Sequence, residues 1–122
     1  MKKHERVVVI GASTNPDRYA YKATVALKKS GYIPIPIGLR EGEIDNVDIL
    51  TGTPKVSDVD SVTLYLGASR QPAMYDYILS LNPKRIIFNP ATENEEFKQL
   101  ATQNGVESIE ARTLVMLSIG NF

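Results

Sequence analysis

Arg6-Val7-Val8-Val9-Ile10-Gly11-Ala12-Ser13-Thr14-Asn15-Pro16-Asp17-Arg18-Tyr19-Ala20-Tyr21 decides how this chain is built. A β-branched run, Val7 to Ile10, stops at Gly11 and enters a short polar loop that leads into a helical composition. In an open α/β sheet, the loop between the first strand and first helix is where backbone N–H groups and a helix N-terminus meet a ligand's phosphates. Glycine is needed where such a chain turns sharply and approaches a ligand closely. The segment argues for a nucleotide-like ligand.

Working outward, strands and helices alternate. Tyr19 to Ser30 has Ala20, Ala23, Thr24 and Leu27 recurring on one helical face, and Gly31 closes it. Tyr32–Ile37 reads as a second strand whose two prolines remove ladder donors, which predicts a place near an edge or only partial pairing. Gly38 to Thr53 is the least regular region, with a short strand expected within Asp45–Leu50. Ser61–Leu66, Arg85–Phe88 and Val106–Ile109 are further strands. Helices are expected over Gln71–Leu81, with Pro72 near its start, and over Glu93–Asn104, with acids in its first turn. Thr113–Ile119 is an apolar tail that fits no single element type. Strands separated by helices of this length imply right-handed crossovers. The expected fold is α/β, a three-layer doubly wound and mainly parallel sheet of five or six strands.

Bulk properties narrow the function. A chain of 122 residues supports one domain, 1–122, with 43% hydrophobic and 23% charged residues. Lysine plus arginine (14) equals aspartate plus glutamate (14), so no basic footprint for nucleic acid is present. With no cysteine, thiolate catalysis, disulfides and structural zinc are excluded. No metal-ligand spacing is visible, and no metal is expected. The first apolar run is short and flanked by charge, and no stretch approaches the roughly 20 apolar residues of a membrane helix. A cytoplasmic protein is the expectation.

Ligands of doubly wound sheets bind outside the carboxyl ends of the strands. The loops there read Gly11-Ala12-Ser13-Thr14-Asn15-Pro16, Gly38-Leu39-Arg40, Gly67-Ala68-Ser69-Arg70 and Asn89-Pro90-Ala91-Thr92. All are small, polar or glycine-containing, which lets backbone approach a ligand. The first lacks the second and third glycines of a dinucleotide fingerprint. Asp17 is a candidate N-cap, which places Arg18 in the first helical turn within reach of a phosphate. After the second strand comes Arg40, and the first acid, Glu41, follows it. A cation there suits a phosphorylated ribose, either the 2′-phosphate of NADP or the 3′-phosphate of coenzyme A.

The opening segment, together with Gly31-Tyr32-Ile33-Pro34-Ile35-Pro36-Ile37, Gly52-x-Pro54 and Asn89-Pro90-x-Thr92-Glu93-Asn94, resembles the small stand-alone coenzyme A-binding domain proteins. Their Rossmann-like fold is similar to the amino-terminal domain of the succinyl-CoA synthetase α subunit. The resemblance implies that Gly11, Ala12, Ser13 and Thr14 face the pyrophosphate, with Arg18 close by. It places Ile37, Gly38 and Arg40 by the adenosine and its ribose phosphate. Loops beginning Gly67-Ala68 and Asn89-Pro90 would flank the pantetheine arm. Where many relatives carry Asn-Pro with a lysine, this chain has Gly38-Leu39-Arg40, and Thr113 stands where relatives often have a cysteine.

Catalysis has no visible seat. The ligase relatives use a phosphorylated histidine, whereas the sole histidine, His4, lies in a charged segment ahead of the first strand. Gly-Ala-Ser-Thr-Asn is not a nucleophile elbow, and no second histidine can partner a serine. Glu93, Glu95 and Glu96 suit the dipole of a helix start. The reading is a binder of coenzyme A or an acyl-CoA, acting as carrier, sensor or accessory subunit. An NAD(P)-dependent oxidoreductase or redox sensor is the alternative. A third is an interaction subunit with a vestigial pocket, associating with itself or a protein partner through the apolar tail.

Overall fold

A continuous apolar strand at the centre of a sheet demands cover on both faces, and the computed structural model, which describes residues 5–122, supplies it. Strand β1 (Arg6–Ala12) sends Val8 and Ile10 to one face and Val7 and Val9 to the other, all buried. Helices α2 (Tyr75–Ser80) and α3 (Glu95–Gln103) cover the first face through Ile78, Phe97 and Ala101. Helices α1 (Tyr19–Lys29) and α4 (Thr113–Ser118) cover the second through Ala20, Leu27, Met116 and Leu117. Each fully buried valine or isoleucine contributes about 1.5–3 kcal/mol relative to exposure.

The other strands are β2 (Ile33–Gly38), β3 (Gly42–Ile44), β4 (Val47–Thr51), β5 (Val59–Leu64), β6 (Arg85–Phe88) and β7 (Glu107–Glu110). They form a seven-stranded sheet in the order β3-β4-β2-β1-β5-β6-β7, parallel throughout except for the β3/β4 pair. The fold is thus the expected α/β doubly wound type, with more strands than the five or six expected. The surplus comes from the irregular stretch after Gly38. There β3 and β4 make a tight hairpin through Asp45 and Asn46, both at positive φ (50° and 66°). That combination matches a type I′ turn, whose twist suits a two-residue hairpin.

β2 is not an edge strand, because it lies between β1 and β4. Its prolines are tolerated by alternation. Ile33 donates to Glu5 O on the β1 side (2.9 Å), so Pro34 and Pro36 face the β4 side. There pairing is confined to Ile37 and Gly38, so the missing donors have no ladder to break. Partial pairing is therefore the half of the expectation that the fold realises.

Two helices also differ from expectation. Residues 71–81 hold a helix only from Tyr75, preceded by 3₁₀ turns at Ala68–Arg70 and Pro72–Met74. The buried Gln71 side chain ties this segment to the carboxyl edge before the helix can start. At α1 the N-cap is Arg18 rather than Asp17, and no side chain caps it; the Asp17 amide is itself bonded to Asn15 Oδ1 (2.9 Å). The apolar tail is helix α4. His4 lies outside the described residues.

Candidate functional site

Strand order reverses between β1 and β5, since β1 leads to β2 on one side while β5 leads to β6 on the other. The crevice outside their carboxyl ends is the topological switch point where such sheets take ligands. All the sequence-predicted residues lie along this edge: Gly11 to Thr14 after β1, Arg18 at the start of α1, Ile37 to Arg40 at the end of β2, Gly67 and Ala68 after β5, and Asn89 and Pro90 after β6.

Gly11 holds the switch point together. It is an extra residue in the β1/β2 register, between Ile10↔Ile37 and Ala12↔Gly38, and its φ is +98°. A Cβ there would lie 3.0 Å from the Tyr65 carbonyl carbon, while Tyr65 N donates to Ile10 O at 2.8 Å. The bulge redirects β1 into the loop, as bulges beside functional sites do. Gly38 is equally constrained, because a Cβ on it would sit 2.2 Å from Ala12 O.

Beyond Gly11 the loop orders itself locally. Asn15 N donates to Ser13 Oγ (3.1 Å), Asp17 N to Asn15 Oδ1 (2.9 Å), and Arg18 N to Asn15 O (3.0 Å). The amides of Ser13 and Thr14 find no acceptor among the described residues. The α1 N-terminus behind them has no side-chain cap and no acid in its first turn. Free amides and an uncapped helix start are what an anionic phosphate requires.

The β5 and β6 loops are held by Gln71, Asn94, Thr63 and Thr113, whose role sequence reasoning missed, and by Asn89, which it expected to flank a ligand. Gln71 Nε2 donates to Leu66 O (2.9 Å) and Thr92 O (2.8 Å), joining the two loops, while its Oε1 accepts from Asn94 Nδ2 (2.9 Å). Asn94 also caps α3 through Phe97 N (3.1 Å) and donates to Tyr75 Oη (2.8 Å), which donates to Glu96 Oε1 (2.9 Å). Asn89 is buried and fully committed. Its Nδ2 donates to Thr63 Oγ1 (2.7 Å) and Leu64 O (2.9 Å), and its Oδ1 accepts from Thr113 N (2.9 Å). The Thr63 and Thr113 hydroxyls share a hydrogen bond of 2.7 Å. At the end of β5, burial pushes the Tyr65 phenol above its ordinary pKa, while the Thr113 and Thr63 side chains pull it down. A polar Thr63 between Val62 and Leu64 was the one visible signal of this network.

The arginines at the two ends of the sheet differ in their bonding. Arg6 and Arg85 begin strands and are bonded, Arg6 Nε to Ser57 O (2.9 Å) and Arg85 to Ser61 Oγ (2.8 Å) and Phe122 O (2.9 Å). Arg18, Arg40, Arg70 and Arg112 follow strand ends, are exposed, and make no ion pair among the described residues. The exposed Leu39 and Tyr19 (85% and 62%) offer apolar surface on the same edge. Two shallow depressions elsewhere, one by Pro54 and Tyr77 and one by Lys98 and Ser108, touch none of these loops. The switch-point edge differs from them in its free Ser13 and Thr14 amides among the described residues and in the exposed arginines on the segments that follow its strands. Among the described residues no cluster of acids or histidines could hold a metal ion, and no helix is long and apolar enough to cross a membrane.

Comparison with known proteins agrees with this architecture. A crystal structure of an uncharacterized protein superposes with a TM-score of 0.94 at 44% identity, covering 98% of each chain. A Thermus thermophilus structure, cell-free ID.343, shares the fold at a TM-score of 0.84 and 17% identity, covering 99% of this chain and 92% of that one. The uncharacterized protein YneT of Bacillus subtilis (strain 168) is 22% identical over 117 residues, 95% of this chain and 82% of YneT. The CoA binding domain model matches residues 5–118. With the switch-point cradle and a match over nearly its whole length, this chain belongs to the CoA-binding domain family.

Proposed function

We propose that this protein binds coenzyme A or an acyl-CoA across the switch point, as a carrier, sensor or accessory subunit with no catalysis of its own. The observation that carries the reading is the β1–α1 turn. Gly11 opens it, Ser13 and Thr14 present free amides, and α1 begins uncapped behind them. Ala12 and Gly38 supply close backbone approach, and Arg18 supports the pyrophosphate. Arg40, beyond the buried Ile37, takes the 3′-phosphate. Gly67, Ala68 and Pro90 flank the pantetheine arm, while the Asn89 side chain holds their loops in place.

Calorimetry with CoA, dephospho-CoA, NAD and NADP in parallel tests this. CoA binds tightest. Arg40→Glu lowers CoA affinity about tenfold, the scale of one charge-assisted hydrogen bond, and leaves dephospho-CoA within about twofold. Equal losses for both ligands refute the Arg40 role, and tighter binding of NAD or NADP refutes the CoA reading in favour of an NAD(P) protein. Binding of none of the four favours an interaction subunit.

A further inference from the structure

The apolar tail that fitted no element type in the sequence is a strap across one face of the sheet, fixed at both ends. Side chains alternate along a strand, so Ser61 and Thr63 of β5, with Arg85 and Ile87 of β6 and Asn89 just beyond it, point to the face that α4 covers. At the carboxyl end, Thr113 N donates to Asn89 Oδ1 (2.9 Å), and the Thr113 and Thr63 hydroxyls lie 2.7 Å apart. In the middle, Met116 and Leu117 pack on the cluster that holds Ile87. A Schellman turn then ends α4: Gly120 N, at φ +72°, donates to Leu117 O (3.3 Å), and Asn121 N to Met116 O (2.9 Å). Phe122 follows and is buried at the amino end of the sheet. The Arg85 guanidinium sits 4.4 Å from the centre of its ring and donates to Phe122 O (2.9 Å), while Arg85 Nε donates to the buried Ser61 Oγ (2.8 Å). Tyr32 meets the same ring edge-on, with centroids 5.0 Å apart.

Between these two ends, residues 114–121 make no hydrogen bond to the rest of the protein among the described residues. A helix as short as α4 is not stable by itself, so its hold on Asn89 depends on the anchor at the far end. In the CoA reading, on which this inference rests, Asn89 fixes the loops beside the pantetheine arm, and one of its three side-chain bonds comes from the strap. We infer that Arg85 and Phe122 are positioning residues for the coenzyme A site: they anchor the strap at the amino end of the sheet and thereby hold Thr113 against Asn89 at the carboxyl end.

Calorimetry with CoA and hydrogen exchange of the Thr113 amide, measured on the same folded variants, test this. Phe122→Ala binds CoA about tenfold more weakly than the native protein, as a strap docked roughly one-tenth of the time requires, and its Thr113 amide exchanges at least about tenfold faster. Phe122→Leu keeps apolar bulk but removes the ring under Arg85. It shifts both readouts the same way by about threefold, and it decides the matter if Phe122→Ala does not fold. Val106→Ala, a buried truncation on the opposite face, leaves CoA affinity within about twofold. Unchanged CoA affinity in folded Phe122→Ala, or in Phe122→Leu where the alanine variant fails to fold, overturns the inference whatever the exchange rate, because the anchor is then structural only. An equal loss in Val106→Ala overturns it too, since affinity then follows stability rather than the strap. Both results leave the CoA reading standing. Failure of the native protein to bind CoA removes that reading and this inference with it.

Discussion

The β1–α1 and β6–α3 loops leave the same edge of the same sheet and enter helices, yet they treat their backbone groups in opposite ways. After β1, the turn is made by a glycine at φ +98°, the Ser13 and Thr14 amides find no acceptor among the described residues, and α1 has neither a side-chain cap nor an acid in its first turn. After β6, Thr92 N donates to Asn89 O (3.0 Å), Asn94 caps α3, and Glu95 and Glu96 occupy its first turn. The second helix start has its dipole answered from within the chain, whereas the first has no such answer among the described residues. The difference teaches why the proposal puts phosphate at the β1 loop: its donors are the ones left unsatisfied among the described residues.

The comparison breaks most severely at Asn89. If the β6 loop is a structural clamp, Asn89→Ala strands the Thr113 amide and removes donors from Thr63 Oγ1 and Leu64 O in a buried setting. A loss of about 3 kcal/mol in urea unfolding is expected, in line with leaving several buried groups unpaired. A loss below about 1 kcal/mol would show that this loop is not the clamp described.

Gly11 tests the other loop, with a smaller cost to stability and a larger one to binding. Gly11→Ala must adopt a φ that L-residues rarely occupy and must press a methyl against the Tyr65 carbonyl. About 2 kcal/mol of destabilisation follows from backbone strain. CoA affinity drops about tenfold or more because the cradle is displaced. Undiminished CoA binding in a folded Gly11→Ala protein would move the phosphate site elsewhere.

How far each loop was legible in the sequence follows from the same contrast. The bend after β1 could be read because glycine, small polar residues and a preceding β-branched run are local signals, and its free groups are backbone amides rather than side chains. The parallel order was legible for a similar reason, since alternating strands and helices admit few topologies. The clamp was not legible. Gln71, Asn89, Asn94, Thr63 and Thr113 matter through partners up to 50 residues away, and no local pattern marks a buried amide that bridges two loops. The same applies to β2, whose internal place depends on β4 pairing only beyond its prolines. Asp45-Asn46 between alternating residues was a hairpin signal that an otherwise irregular composition hid.

The smallest expected effect sharpens the comparison in the reverse direction. Pro90 and Ala91 occupy the centre of the β6 turn, and Ala91 has φ +74°. Proline followed by positive φ, closed by the Asn89 O to Thr92 N bond, matches a type II turn, where glycine is the usual third residue. Alanine there carries strain that glycine would relieve, about 1–2 kcal/mol for a left-handed residue. Glycine also raises the entropy of the unfolded chain, which offsets roughly 0.5–1 kcal/mol of that gain. Ala91→Gly should therefore stabilise the protein by about 0.5–1 kcal/mol in urea unfolding, opposite in sign to Gly11→Ala. An unchanged or lower stability would mean the turn is not strained as its φ implies. If CoA affinity falls while stability rises, the strain serves the ligand, in keeping with the place proposed for Pro90 beside the pantetheine arm.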